Sequence, residues 1–90
     1  MNALIEKLVV VFFPSCQSEI VRNFILKCSS FDIYPNKIQI WASILILSKS
    51  SIEEFESVLS HAKKDWRDVV VAAGLAVDDW EVICNKVIKY

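Results

Sequence analysis

His61 is the only histidine of this 90-residue chain, and Cys16, Cys28 and Cys84 are its only thiols. A transition-metal site needs several such ligands converging, and no His–Cys or Cys–Cys pair here has ligand spacing. Pairing His61 with Cys84 or Cys28 as base and nucleophile requires contact that nothing in their linear order provides. His61 falls near the end of a predicted helix, where a cation suits the dipole, so a solvated or capping histidine is expected. Asp78 and Asp79 are the best candidates for paired carboxylates, yet adjacent helical residues do not face each other. One fits a helix cap and the other a first-turn charge. Gly74 is the only glycine, so no glycine-rich loop can cradle phosphate. The expectation is a protein without catalytic residues, metal or cofactor.

The segment Asp65-Trp66-Arg67-Asp68 is richer. A tryptophan in a helix's first turn can anchor on the preceding helix. Arg67 can form a two-pronged pair with a carboxylate that lysine cannot reproduce. Exposed together, Trp66 and Arg67 would instead make a binding hot spot.

The elements holding these residues follow from caps and breakers. Asn2 precedes a helix with Leu4, Ile5, Leu8, Val9 and Phe12 on one face, which Pro14 ends near Phe12 or Phe13. Ser15 or Ser18 can cap a second helix whose inner face is Ile20, Val21, Phe24, Ile25 and Cys28. Residues 29–32 read as a connection, and Pro35 suits the first turn of a third helix running from about Asn36 to Ser48. That third helix is apolar almost all round, so it is central or it meets another chain. Ser51 and Glu54 have capping-box spacing ahead of a fourth helix with Ile52, Phe55, Val58, Leu59 and Ala62 inside. Asp65 caps a short fifth helix that Gly74 closes in the left-handed conformation. Asp78 opens a sixth, with Trp80, Ile83, Cys84 and Val87 inside. Valine and isoleucine total 22 and favour strands, but hairpin turn pairs are missing while helix caps recur. The expected fold is all-α, a compact bundle of five or six short helices, with residues 1–90 as one domain.

The stretch Lys37-Ile38-Gln39, then Leu45 and Leu47, then Ala62 with Asp65-Trp66-Arg67-Asp68 resembles a group of small bacterial helical proteins. They share a basic-aliphatic-Gln start, a Leu-x-Leu and a closing Asp-aromatic-Arg-Asp. The likeness spans residues 36–72. It departs at Lys49–Ser50, where the pattern expects glycine, and again after Val70. The resemblance implies a bacterial, cytosolic helical protein and brings no activity, substrate or site residue with it.

Charge and composition narrow the function classes. Net charge is −1, with residues 1–50 at +2 and residues 51–90 at −3. Only two arginines are present, Arg22 and Arg67, and a helix-turn-helix reading lacks the cationic surface that phosphate contact needs. The six-residue run Leu8–Phe13 is short for a signal peptide, and Glu6 sits in the would-be basic region. No stretch approaches a membrane span. Three cysteines at long spacing are an odd count, and they fit a reducing cytoplasm. Apolar residues make up 54%, a surplus for a chain with so little interior. A protein–protein interaction module is therefore expected, self-associating as a homodimer through Ile40, Trp41, Ile44 and Leu47, with Trp66 and Arg67 as a further contact. The alternative is a small regulator or inhibitor of a toxin or enzyme, docking through its acidic half. A nucleic-acid binder comes third.

Overall fold

The computed structural model describes residues 2–89. Among them are five helices and no strand: α1 (Ala3–Phe12), α2 (Ser15–Lys27), α3 (Lys37–Ser48), α4 (Ile52–Ala72) and α5 (Trp80–Lys89). The described residues extend over 31 × 28 × 21 Å.

Local chemistry sets most boundaries as read from the sequence. The Asn2 side-chain oxygen accepts from the Leu4 and Ile5 amides at 2.9 and 3.3 Å. Pro14 stops α1 after Phe12, and its own extended backbone then serves as the cap of α2. Neither Ser15 nor Ser18 caps; Ser18 is buried in the first turn and donates to the Ser15 carbonyl. Pro35 lies just before the start of α3 rather than in its first turn. Ser51 Oγ accepts from the Glu54 amide, but the Ser51 amide donates to the Ser48 carbonyl, so only half of the capping box forms. Asp65 leaves helical geometry at φ −152° and ψ 85°, the backbone of a cap. The expected fourth and fifth helices are thus one bent element, α4, broken where the sequence placed the boundary. The end of α4 is a Schellman motif: the Leu75 amide reaches the Val70 carbonyl and the Gly74 amide reaches Val71, with Gly74 at φ +76°. Leu75 is buried there, the apolar contact that accompanies this motif.

Helix α3 is central. It packs chiefly on α4 and also meets α1 and α5. Ile40, Trp41 and Ile44 are buried and Leu47 is half-buried against the same core. They therefore cannot form the association face that the sequence suggested. Of the two outcomes open to an all-round apolar helix, the fold takes burial, because three helices cover it. Its buried serines are satisfied by the carbonyls one turn back, Ser43 to Gln39 at 2.8 Å and Ser48 to Ile44 at 2.6 Å. Gln39 donates to the Leu75 carbonyl at 2.6 Å, tying α3 to the turn that leads into α5.

The 28–36 connection is anchored by Phe31, a buried ring set edge-on to Trp41 with centroids 5.2 Å apart. Helix α2 is the outer element and packs mainly on α1. The Arg22 Nε spans both Glu6 oxygens at 2.7 and 2.9 Å, fixing these two helices together. Only Ser18, Val21 and Ile25 are buried on α2. Ile20 and Phe24, expected inside, are 47% and 38% exposed.

Candidate functional site

The residues with chemical potential are dispersed. His61 Nε2 lies 2.7 Å from Asp68 Oδ2, an exposed contact that spans the break at Asp65. Cys84 is buried on α5, and burial, aided by the Glu81 charge, pushes its thiol up to about 11. It is a neutral packing group at physiological pH, and the partner of His61 is a carboxylate rather than a thiol. Cys16 is exposed and Cys28 half-buried, both unpaired. Asp78 and Asp79 occupy the turn leading into α5, and the Asp79 carbonyl accepts from Val82 and Ile83. Among the described residues no three His, Cys, Asp or Glu side chains gather as a metal-holding group. Among them also, no helix is long and apolar enough to cross a membrane.

Trp66 and Arg67 follow the break in α4. Trp66 is half-buried and packs on Tyr34, ring centroids 5.3 Å apart. It is thus an anchor on the loop before α3 rather than on the preceding helix. Arg67 does not take the expected ion pair. Its guanidinium lies 5.4 Å from the centre of the Trp66 ring, a cation–π placement that leaves its donors free for a ligand. Beside these two residues, Lys63, Lys64 and Ser30 frame a recess of about 300 Å³.

The larger concavity lies between α2 and α4, with a volume of about 590 Å³. Its apolar part is Ile20, Phe24, Cys28 and Leu59, and its rim carries Lys27 and Lys63 with Asn23, Ser29 and Ser30. The groove exists because α1, not α4, supplies most of the packing against α2. Phe24 meets Phe55 of α4 edge-on at 5.9 Å and leaves a trough beyond that contact. Ser30 and Lys63 line both concavities, so the groove and the Trp66–Arg67 recess are neighbours. The groove is the more apolar of the two, and the recess beside it is polar, with Lys63, Lys64 and Arg67 against Asp65.

The exposed large apolar residues include Ile20, Phe24 and Leu26 on α2, with Val10, Val11, Ile33, Val71, Val77 and Val82 elsewhere, and none of them is on α3. Of the residues singled out in the sequence, Trp66 and Arg67 line the neighbouring recess, and Ile40, Trp41 and Ile44 lie in the core. Ile20 and Phe24 read from the sequence as inward-facing, and the structure leaves them exposed above the buried Leu59. One signal for them was readable: Ile20, Phe24 and Lys27 follow at four- and three-residue spacing, a stripe beside the Val21–Ile25 stripe that a single covering helix cannot also bury. Comparison of this chain with protein families, with curated proteins and with solved structures finds no match in any of the three.

Proposed function

We propose that this chain is a protein–protein interaction module that self-associates through the α2/α4 groove and has no catalytic role of its own. The observation that carries the proposal is the pair Ile20 and Phe24, one turn apart and both exposed, over a trough floored by Leu59 and Cys28. Contiguous apolar surface of this kind marks association sites, and its depth gives an inserted side chain somewhere to go. A single groove on so small a protein suits an interface at the small end of the size range, with dissociation constants of about 1–100 μM. Three unpaired thiols support a reducing, cytoplasmic setting.

Sedimentation velocity from low to high micromolar concentration tests this reading. The expected result is an average sedimentation coefficient that rises with concentration for the native chain. For Ile20→Asp it stays at the monomer value, with unchanged circular dichroism and melting temperature. A native chain that stays monomeric throughout, or an Ile20→Asp variant that associates equally well, overturns it.

A further inference from the structure

We propose that the groove is filled by the acidic entry to α5 of a second copy, residues 77–82, so that copies join head to tail. This rests on the reading of the groove as a docking surface. The charged residues in the groove lining are Lys27 and Lys63, with no carboxylate among them, and the adjoining recess adds Lys64 and Arg67 beside a single carboxylate, Asp65, so cations prevail across the two. Two grooves facing each other across a two-fold axis would bring these cations together, because each patch meets its own copy in a symmetric interface. The occupant must therefore be acidic as well as partly apolar.

The chain itself presents such a surface. Val77 and Val82 are 46% and 50% exposed. Asp78, Asp79 and Glu81 between them are all exposed, and among the described residues none has an ion-pair partner. The valines match the Ile20–Phe24 trough, and the carboxylates match Lys27, Lys63 and the cations beyond. Within one copy the two surfaces cannot meet. Helix α5 packs on α1 and α3, its buried Cys84 belongs to the core, and the Gln39 bond to Leu75 holds the turn before it. The groove is built from α2, α4 and the segment after α2. Each copy thus offers both halves at once, and only a different copy can complete either.

Two variants separate the halves. Lys27→Glu with Lys63→Glu spoils the groove and keeps the acidic edge. Asp78→Asn, Asp79→Asn and Glu81→Gln together neutralise the edge and keep the groove. All five positions are exposed, and circular dichroism verifies that each variant is folded. By sedimentation velocity, each variant alone should associate at least tenfold more weakly than the native chain. An equimolar mixture should restore association and stop at a 1:1 pair, because one groove and one acidic edge survive between the two. Native association should also weaken about tenfold between 50 and 500 mM NaCl, as screening of facing charges requires. If the native chain associates and Ile20→Asp abolishes this, but the mixture stays monomeric, the groove reading stands and the α5 occupant is overturned. Unimpaired association of Lys27→Glu, Lys63→Glu overturns it equally. A native chain that never associates removes both proposals.

Discussion

Truncating Ile44 and Ile20 to alanine, one at a time, separates core from docking surface with a single chemistry. Ile44 sits on the central helix and is fully buried, whereas Ile20 is 47% exposed on α2. Each substitution removes three carbons. For Ile44, transfer alone at about 0.8 kcal/mol per carbon gives ~2.4 kcal/mol. The cavity that α1, α4 and α5 cannot collapse into adds roughly 1 kcal/mol, for about 3–4 kcal/mol in all. For Ile20, half the side chain is already wet and no closed cavity forms, so the loss is about 1 kcal/mol. Total stability for a chain of this length is about 5–13 kcal/mol, so Ile44→Ala consumes a large share and still folds. Urea titration followed by circular dichroism reads the difference. With a slope near 1.2 kcal/mol per molar, the midpoint falls by about 2.5–3 M for Ile44→Ala and by less than 1 M for Ile20→Ala. Self-association should show the reverse order, weakened by Ile20→Ala and unchanged by Ile44→Ala at denaturant-free equilibrium. A midpoint shift under 1 M for Ile44→Ala together with lost association would refute the placement of α3 and restore it as the interface.

Other outcomes follow from single features. Lys49 and Ser50 sit at φ +51° and +68° between α3 and α4, a conformation that costs side-chain-bearing residues about 1–2 kcal/mol. Glycine at position 49 should raise the melting temperature by roughly 2–5 °C after its own entropic cost, and a fall in differential scanning calorimetry would contradict this. Gly74→Ala meets no neighbour within 4 Å but inherits φ +76°, so it should cost ~1 kcal/mol by backbone strain alone, read as a lowered urea midpoint at unchanged slope. Iodoacetamide should label Cys16 first and Cys84 only on unfolding, since Cys84 is buried with its thiol pushed up to about 11; mass spectrometry of the native protein at pH 8 checks the order. The Arg22 hydrogen bond holds the Glu6 carboxyl below its ordinary range. That contribution is fully present above the ordinary carboxylate range and is lost as pH falls through the lowered folded value. Glu6→Gln should flatten the acid side of the stability profile, and an unchanged acid side would refute the coupling.

How far the sequence reaches can be judged element by element. Asn2, Pro14, Ser51, Asp65 and Gly74 act within a turn of themselves, and each marks a boundary in the structure. Their caps and breaks are local hydrogen bonds and steric limits, so the linear order is sufficient to find them. The half-formed capping box at Ser51 is the instructive exception. Lys49 and Ser50 take left-handed backbone, which brings the Ser51 amide to the Ser48 carbonyl at 3.0 Å. The amide is then already satisfied, and Glu54 has nothing to reach back for. Phe31 was passed over because one aromatic residue in a Ser- and Asp-rich connection carries no period. Its role depends on Trp41, ten residues on, arriving beside it.

Helix faces are less legible than helix ends, and α2 and α3 show why. Periodicity reports how wide an apolar arc is, while burial depends on how many neighbours arrive to cover it. Helix α3 has an apolar circumference and three covering helices, so most of it is buried and only Ile38, Ile46 and Leu47 are partly open. Helix α2 carries a broad arc from Ile20 to Cys28 and is packed mainly by α1, so Val21 and Ile25 go in while Ile20 and Phe24 stay out. The total of unburied apolar surface follows from composition and chain length; its address follows from topology. That is why Ile40, Trp41 and Ile44 lie in the core while Ile20 and Phe24 stay exposed. The groove also inherits its sign from this geometry. Covering α2 on the α1 side uses the Glu6–Arg22 pair and leaves Lys27 on the open side, opposite Lys63 of α4. The chain's acids gather instead around helix starts, at Glu53 and Glu54 on α4 and at Glu81 on α5, where the dipole favours them. Cations along an open groove and carboxylates at the start of the last helix are the charge separation that the proposed contact between copies uses.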